Sequence, residues 1–135
     1  MIDHSGIVVS DLATARRFYD AVAGALDLQT KDGPGPFFFL ARSAEEFVPY
    51  LWIGTVRPGY WAEGSRPGLN QMHIAFSARD RAQVAEFHRA ALAAGGRDNG
   101  APGPRDYAPG YYAAFVLDPD GNNIEACCHE TVGAG

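Results

Sequence analysis

Three side chains of types that can hold a metal ion sit inside otherwise apolar strand patterns in this chain: His4, His73 and Glu125. Two imidazoles and one carboxylate form a three-ligand set for a divalent cation. Positions left open to water or substrate suit such a set to non-haem Fe(II), Mn(II) or Zn(II) catalysis. An ionised carboxylate buried without a partner is costly, so Glu125 must be exposed, paired, protonated or bound to a cation. Distance along the chain says nothing about whether the three meet. What links the two histidines is a repeat. With His4 laid over His73, Asp11 falls on Asp80, Phe18 on Phe87 and Ala21 on Ala90, with no gap. In each copy a short apolar strand carrying one His runs into an Asp that opens a helical pattern. Equivalent strands of two pseudo-symmetric modules can turn matching faces into one cavity.

The elements that must position these residues follow from periodicity. Ile2 to Val9 alternates as a strand, with Ile2, His4, Gly6 and Val8 on one face and Asp3, Ser5, Ile7 and Val9 on the other. Ser10 or Asp11 caps a helix whose buried stripe is Leu12, Ala15, Phe18, Val22 and Leu26. A weak strand is expected around Leu28 to Thr30, then a turn over Lys31 to Pro36. Strands follow at Phe37–Leu40 and Phe47–Ile53, joined by a hairpin loop over Arg42–Glu46. The first module therefore reads βαβββ over residues 1–56, and residues 57–70 read as a linker loop whose aromatics can close over a ligand.

The second module covers residues 71–130. Met72 to Ser77 is its His-bearing strand, with His73 facing away from Met72, Ile74 and Phe76. Asp80 caps a helix with Val84, Phe87, Ala91 and Leu92 on its stripe, and Gly95-Gly96 stops it. His88 lies beside that stripe and reads as a boundary side chain. Arg97 to Gly110 is rich in Gly and Pro and reads as a loop. Tyr111–Leu117 and Asn123–His129 form a hairpin around the turn Asp118-Pro-Asp-Gly121, with Asn123, Glu125, Cys127 and His129 sharing one face. The expected class is α+β, a single domain over 1–135 built from paired modules.

At 135 residues the chain can bury one substantial core. Its formal charge of -5 argues against non-specific nucleic-acid binding, which needs a basic face. No apolar run approaches the ~20 residues that span a bilayer, so no membrane partner is expected. No signal-peptide pattern is read at the N-terminus. Cys127 and Cys128 are adjacent and make no disulfide framework, which fits a reducing, cytoplasmic setting.

Met1 to Leu12, Met72 to Phe76 and Phe115-Val-Leu-Asp-Pro-Asp-Gly-Asn-Asn-Ile-Glu125 together resemble the vicinal oxygen chelate superfamily, which includes glyoxalase I, bleomycin-resistance proteins and ring-cleaving dioxygenases. The likeness spans nearly the whole chain, and its most specific piece is the final hairpin. It implies paired βαβββ modules forming a cupped, open mixed β-sheet around a divalent metal (Fe, Mn, Zn or Ni). It places His4, His73 and Glu125 on metal-ligand positions, and it implies a homodimer in which the metal site can draw on both subunits. One departure stands out. Where glyoxalase I-like members carry a fourth ligand, a Glu on the last strand of the first module, this chain offers only Tyr50 or Trp52. That puts the proton-shuttling isomerisation of a glutathione hemithioacetal in doubt, and fits the three-ligand members better.

The leading expectation is a metal-dependent lyase, isomerase or dioxygenase acting on a small oxygen-rich substrate. Glu125 and Tyr111 or Tyr112 are its candidate catalytic groups. Arg57, Arg66, Arg97 and Arg105 are available to an anionic substrate group, and Cys127 shares the face of Glu125. The alternative is a metal-free binding protein of the bleomycin-resistance type.

Overall fold

The computed structural model of the chain describes residues 1–69 and 71–131. The first module runs β1 (His4–Val8), α1 (Leu12–Ala25), β2 (Gln29–Asp32), β3 (Phe37–Ala41) and β4 (Tyr50–Gly54). The second runs β5 (His73–Ser77), α2 (Arg81–Ala93), β6 (Arg97–Pro104), β7 (Tyr111–Leu117) and β8 (Asn123–His129). Each module is a four-stranded mixed sheet, ordered β1-β4-β3-β2 in one and β5-β8-β7-β6 in the other. β1 lies parallel to β4 and β5 parallel to β8; the remaining pairs are antiparallel.

The repeat read from the sequence is structural. Asp11 caps α1 by accepting the Thr14 N–H at 2.8 Å, and Asp80 caps α2 by accepting the Gln83 N–H at 2.8 Å. Phe18 and Phe87 are both fully buried. α1 packs on α2, and the two apolar helix faces join one core that takes Ile7, Val9, Leu51 and Ile53 from one sheet and Val116, Ile124 and Ala126 from the other. Burial of each large side chain there is worth about 1.5–3 kcal/mol. Period-two alternation leaves the opposite face of each sheet uncovered by its helix, and His4 and His73 stand on those faces.

The two modules are also clamped by a polar contact. Asp118, fully buried, accepts a hydrogen bond from the Tyr19 hydroxyl of α1 at 2.6 Å. Its carboxyl oxygens also accept from the Asn122 side chain and from the backbone N–H groups of Asp120 and Asn122, each at 2.9 Å. Asp120 in turn accepts the Ser10 N–H at 3.0 Å. Burial, reinforced by Asp118, raises the Tyr19 phenol well above its ordinary pKa, so it remains a donor. Gly96 lets the pieces close: a Cβ there would lie 2.4 Å from Val116 and 2.8 Å from Phe18.

Three boundaries differ from those read in the sequence. Arg97–Pro104 is a strand rather than loop. It is the edge strand of its sheet, where Pro102 and Pro104 need supply no ladder donor, and its register shifts twice against β7. β4 begins at Tyr50, later than Phe47, because Phe47 folds out of the loop onto Phe39 and Tyr50. β2 extends to Asp32, held by Arg16, whose guanidinium pairs with Asp20 and Asp32.

Candidate metal and ligand site

Parallel pairing of β5 with β8 sets Ala75 opposite Glu125 and His73 opposite Asn123, so His73 and Glu125 share the open face one step apart. There His73 Nε2 lies 3.2 Å from Glu125 Oε1. Glu125 is only 2% exposed although His73 is open to solvent. Behind the imidazole, Nδ1 is 3.0 Å from both the backbone oxygen and the side-chain nitrogen of Asn123. The Asn123 amide is itself positioned by Asn99, whose side-chain N–H donates to it at 3.1 Å. When Nδ1–H donates to the Asn123 carbonyl, Nε2 presents a lone pair beside the carboxyl.

On the far side of Glu125, Tyr111 O–H donates to its other oxygen. Burial, then the hydrogen bonds to Glu125 and Cys127, push the Tyr111 phenol well above its ordinary pKa. It stays protonated and remains a donor. A folded pKa above the unfolded one gives stability that is complete below the unfolded phenol value and is lost as pH climbs through the folded one. Urea midpoints measured on either side of pH ~10 should therefore fall less steeply for Tyr111→Phe than for the wild type. Equal slopes would remove Tyr111 as the group responsible. Cys127 lies under this pair as a free thiol whose pKa is raised chiefly by burial.

Strand alternation separates the two tyrosines that the sequence left open. Tyr112 is turned to the helix side, packed on the core with the Arg81 guanidinium 4.6 Å above its ring. It is not brought to Glu125. Of the loop arginines, Arg57 is engaged within its own loop, donating to the carbonyls of Ser65 at 2.5 Å and Ala62 at 2.7 Å. Arg105 lies 5.4 Å over the Phe115 ring, which in turn stacks on His73. His88 pairs with Asp98 at 2.9 Å, away from the site.

His4 occupies the corresponding face of the first sheet. Its ring stacks on Tyr50 at 4.8 Å and 4°, and its Nδ1 is 2.7 Å from Asp3. The register also settles which residue stands where a fourth ligand would be. Tyr50 is opposite His4 as Asn123 is opposite His73; Trp52 is opposite Gly6 as Glu125 is opposite Ala75. Trp52 is thus the counterpart of Glu125. His4, Tyr50 and Trp52 line an open hollow of about 490 Å³. A second cleft, about 460 Å³, runs between the edge strands β1 and β5 and takes in His73; Ser5 and Tyr50 line both.

The donors fit a metal ion in part. Ligand bonds of 2.0–2.2 Å put neighbouring ligand atoms about 3.0 Å apart at a right angle and about 3.4 Å apart at the tetrahedral angle. The 3.2 Å between His73 Nε2 and Glu125 Oε1 lies between these values. His4 is not brought to them. Among the described residues no group of three or more His, Cys, Asp or Glu side chains is placed to hold a metal ion. One chain therefore presents a two-donor half-site on one sheet and a lone imidazole on the other.

Fold, repeat and final hairpin agree with one family, whose sequence model matches residues 1–126: the chain belongs to the Glyoxalase/Bleomycin resistance protein/Dioxygenase superfamily. A glyoxalase/bleomycin resistance protein from Albidiferax ferrireducens T118 is 30% identical over 96% of this chain and 99% of its own, with a TM-score of 0.73. A glyoxalase-related enzyme from Fulvimarina pelagi is 23% identical over 95% of this chain and 87% of its own, with a TM-score of 0.72. A lactoylglutathione lyase from Agrobacterium tumefaciens is 21% identical, covers 100% of this chain and 98% of its own, and has a TM-score of 0.65. Similarity to the last two is one of fold. Among curated proteins no sequence matches this chain.

Proposed function

We propose that this protein is a metal-dependent enzyme of the glyoxalase/dioxygenase type, acting on a small oxygen-rich molecule at a site shared between the two chains of a homodimer. The observation that carries this reading is the His73–Glu125 spacing of 3.2 Å on an open sheet face, with Glu125 itself buried. His4 of a second copy would complete the ligand set. Two further features support a second copy. Among the described residues β1 and β5 are each paired along one edge only, and Ile2 and Met72, at their entrances, are exposed.

When bound, a divalent cation in that set would act as a Lewis acid towards vicinal substrate oxygens. The chain's own groups have defined work beside it. Asn123 holds the His73 ring, Glu125 offers its carboxyl, and Tyr111 keeps its proton and holds the carboxyl oxygen facing away from His73. Trp52 in place of a second carboxylate speaks against a two-carboxylate proton shuttle, and so against a hemithioacetal isomerase. A three-ligand oxygenase or transferase fits better. No helix among the described residues is long and apolar enough to cross a membrane, and both cysteines are free, in keeping with a reducing cytoplasmic setting.

Titration of chelator-treated protein with Mn(II) or Zn(II) tests the reading. It requires saturable, stoichiometric binding in the wild type that Glu125→Gln and His73→Ala abolish; binding unchanged in both variants would end it. The metal-free binding protein remains the second reading, favoured by the aromatic character of the hollow beside His4.

A further inference from the structure

The open face of the first sheet is built from rings. Phe37, Phe39, Phe47, Tyr50 and Trp52 form a chain of contacts along β3 and β4, with centroids 4.7 to 5.6 Å apart. β3 is apolar on both faces: Phe38 and Leu40 enter the core, while Phe37 and Phe39 lie on the open side, only partly buried. Core packing accounts for the first pair; the second packs on rings and glycines of the open side, outside the core. The face also has a gap. Gly6 stands between His4 and Val8, and the nearest atom to a Cβ there would be Trp52 at 3.6 Å, an ordinary contact. Trp52 and the His4–Tyr50 stack therefore border a bare, flat stretch of β1 backbone.

The hollow over this stretch, about 490 Å³, is within the ~300–1,000 Å³ usual for small-molecule sites. Its lining among the described residues contains no Lys, Arg, Asp or Glu; Pro58 and Tyr60 of the following loop form its rim. Such walls reward a flat, uncharged π-system, which can lie against Trp52 and meet neighbouring rings face or edge. They offer an anionic chain no Lys or Arg to pair with.

We infer that this hollow is a binding site for a planar, uncharged aromatic group, and that Trp52 and the bare backbone at Gly6 set its selectivity. The inference deepens the proposed function by naming the class of molecule that the wall beside His4 takes, and it rests on that reading only for the molecule being a substrate.

The probe is 2-naphthol, with its saturated counterpart decahydro-2-naphthol as control, titrated by calorimetry into chelator-treated protein. Naphthol should bind about two- to tenfold more tightly than the saturated alcohol, because ring contacts add to area burial. Gly6→Val fills the gap while suiting a strand, and should weaken naphthol at least about tenfold with an unchanged melting temperature. Trp52→Leu should remove the preference for the aromatic ring. In a Trp61→Phe background the remaining Trp52 emission should change on naphthol addition. Equal affinity for the two alcohols overturns the inference, as does Gly6→Val binding within twofold of wild type in a folded protein. Trp52 emission that responds to protein dilution but never to naphthol would also overturn it, showing the face occupied by a second copy instead. Because metal is absent throughout, failure here leaves the metal titration to stand or fall separately.

Discussion

A heterodimer of one His4→Ala chain and one His73→Ala chain should bind metal that neither homodimer binds. In a two-fold dimer with shared sites, each site takes His4 from one chain and the His73–Glu125 pair from the other. The mixed dimer then has one site lacking both imidazoles and one lacking neither. Isolated by two affinity tags, it should hold about half the wild-type metal per dimer, since one of its two equivalent sites is whole. Each parent variant loses a direct ligand. Removing groups that merely orient ligands costs ~10–100-fold in metal affinity, so each parent should lose at least about 100-fold. Both histidines are exposed, so neither substitution digs into the core and folding should be kept. Metal analysis of the tagged dimer reads the result directly. No recovery in the mixed dimer means the sites are not shared, and full metal in His4→Ala homodimers means His4 is no ligand.

The second large effect is on stability. Asp118→Ala should lower the unfolding free energy by about 3–5 kcal/mol, because a buried, multiply bonded carboxyl leaves its donors stranded when removed. The stranded groups are the Tyr19 hydroxyl, the Asn122 side chain and the N–H groups of Asp120 and Asn122. Tyr19→Phe removes one donor and leaves the rest, so its cost should be nearer 1 kcal/mol, about that of a single net hydrogen bond. Urea unfolding of both single variants and the double tests the clamp, because residues sharing a bond should couple by about 0.5–3 kcal/mol. Additive losses would show that Asp118 shapes only its own turn. Metal binding by surviving Asp118→Ala protein should be preserved, which separates clamp from site.

That result bears on what the sequence conveys. The Asp118-to-Glu125 hairpin is the most family-specific stretch of the chain, yet Asp118 and Asp120 are spent on joining the modules and Asn122 on bracing Asp118; Asn123 and Glu125 are turned to the open face. An Asp directly after an apolar strand hinted at a turn and gave no sign of Tyr19 as its partner, because Tyr19 flanks the stripe that periodicity picks out. The aromatic floor was missed for a related reason. Phe37-Phe-Phe-Leu40 reads as an apolar strand, and only the sheet shows that alternate rings emerge on a face no helix covers. The error at Arg97–Pro104 came from treating Gly and Pro as loop residues, when an edge position asks less of a strand.

The sequence by itself determined whatever depends on neighbours a few residues away: both helices with their Asp caps, the repeat, the alternation that sets His4 and His73 on one face of their strands, and the final turn. Tertiary structure alone decided which faces stay open and which residues meet across the sheet. Parallel pairing of β5 with β8 brings His73 to Glu125, and parallel pairing of β1 with β4 brings Trp52 to the matching place. Parallel neighbours are joined by long crossovers rather than tight turns, so their register is set by the packed core and leaves no local trace in the chain.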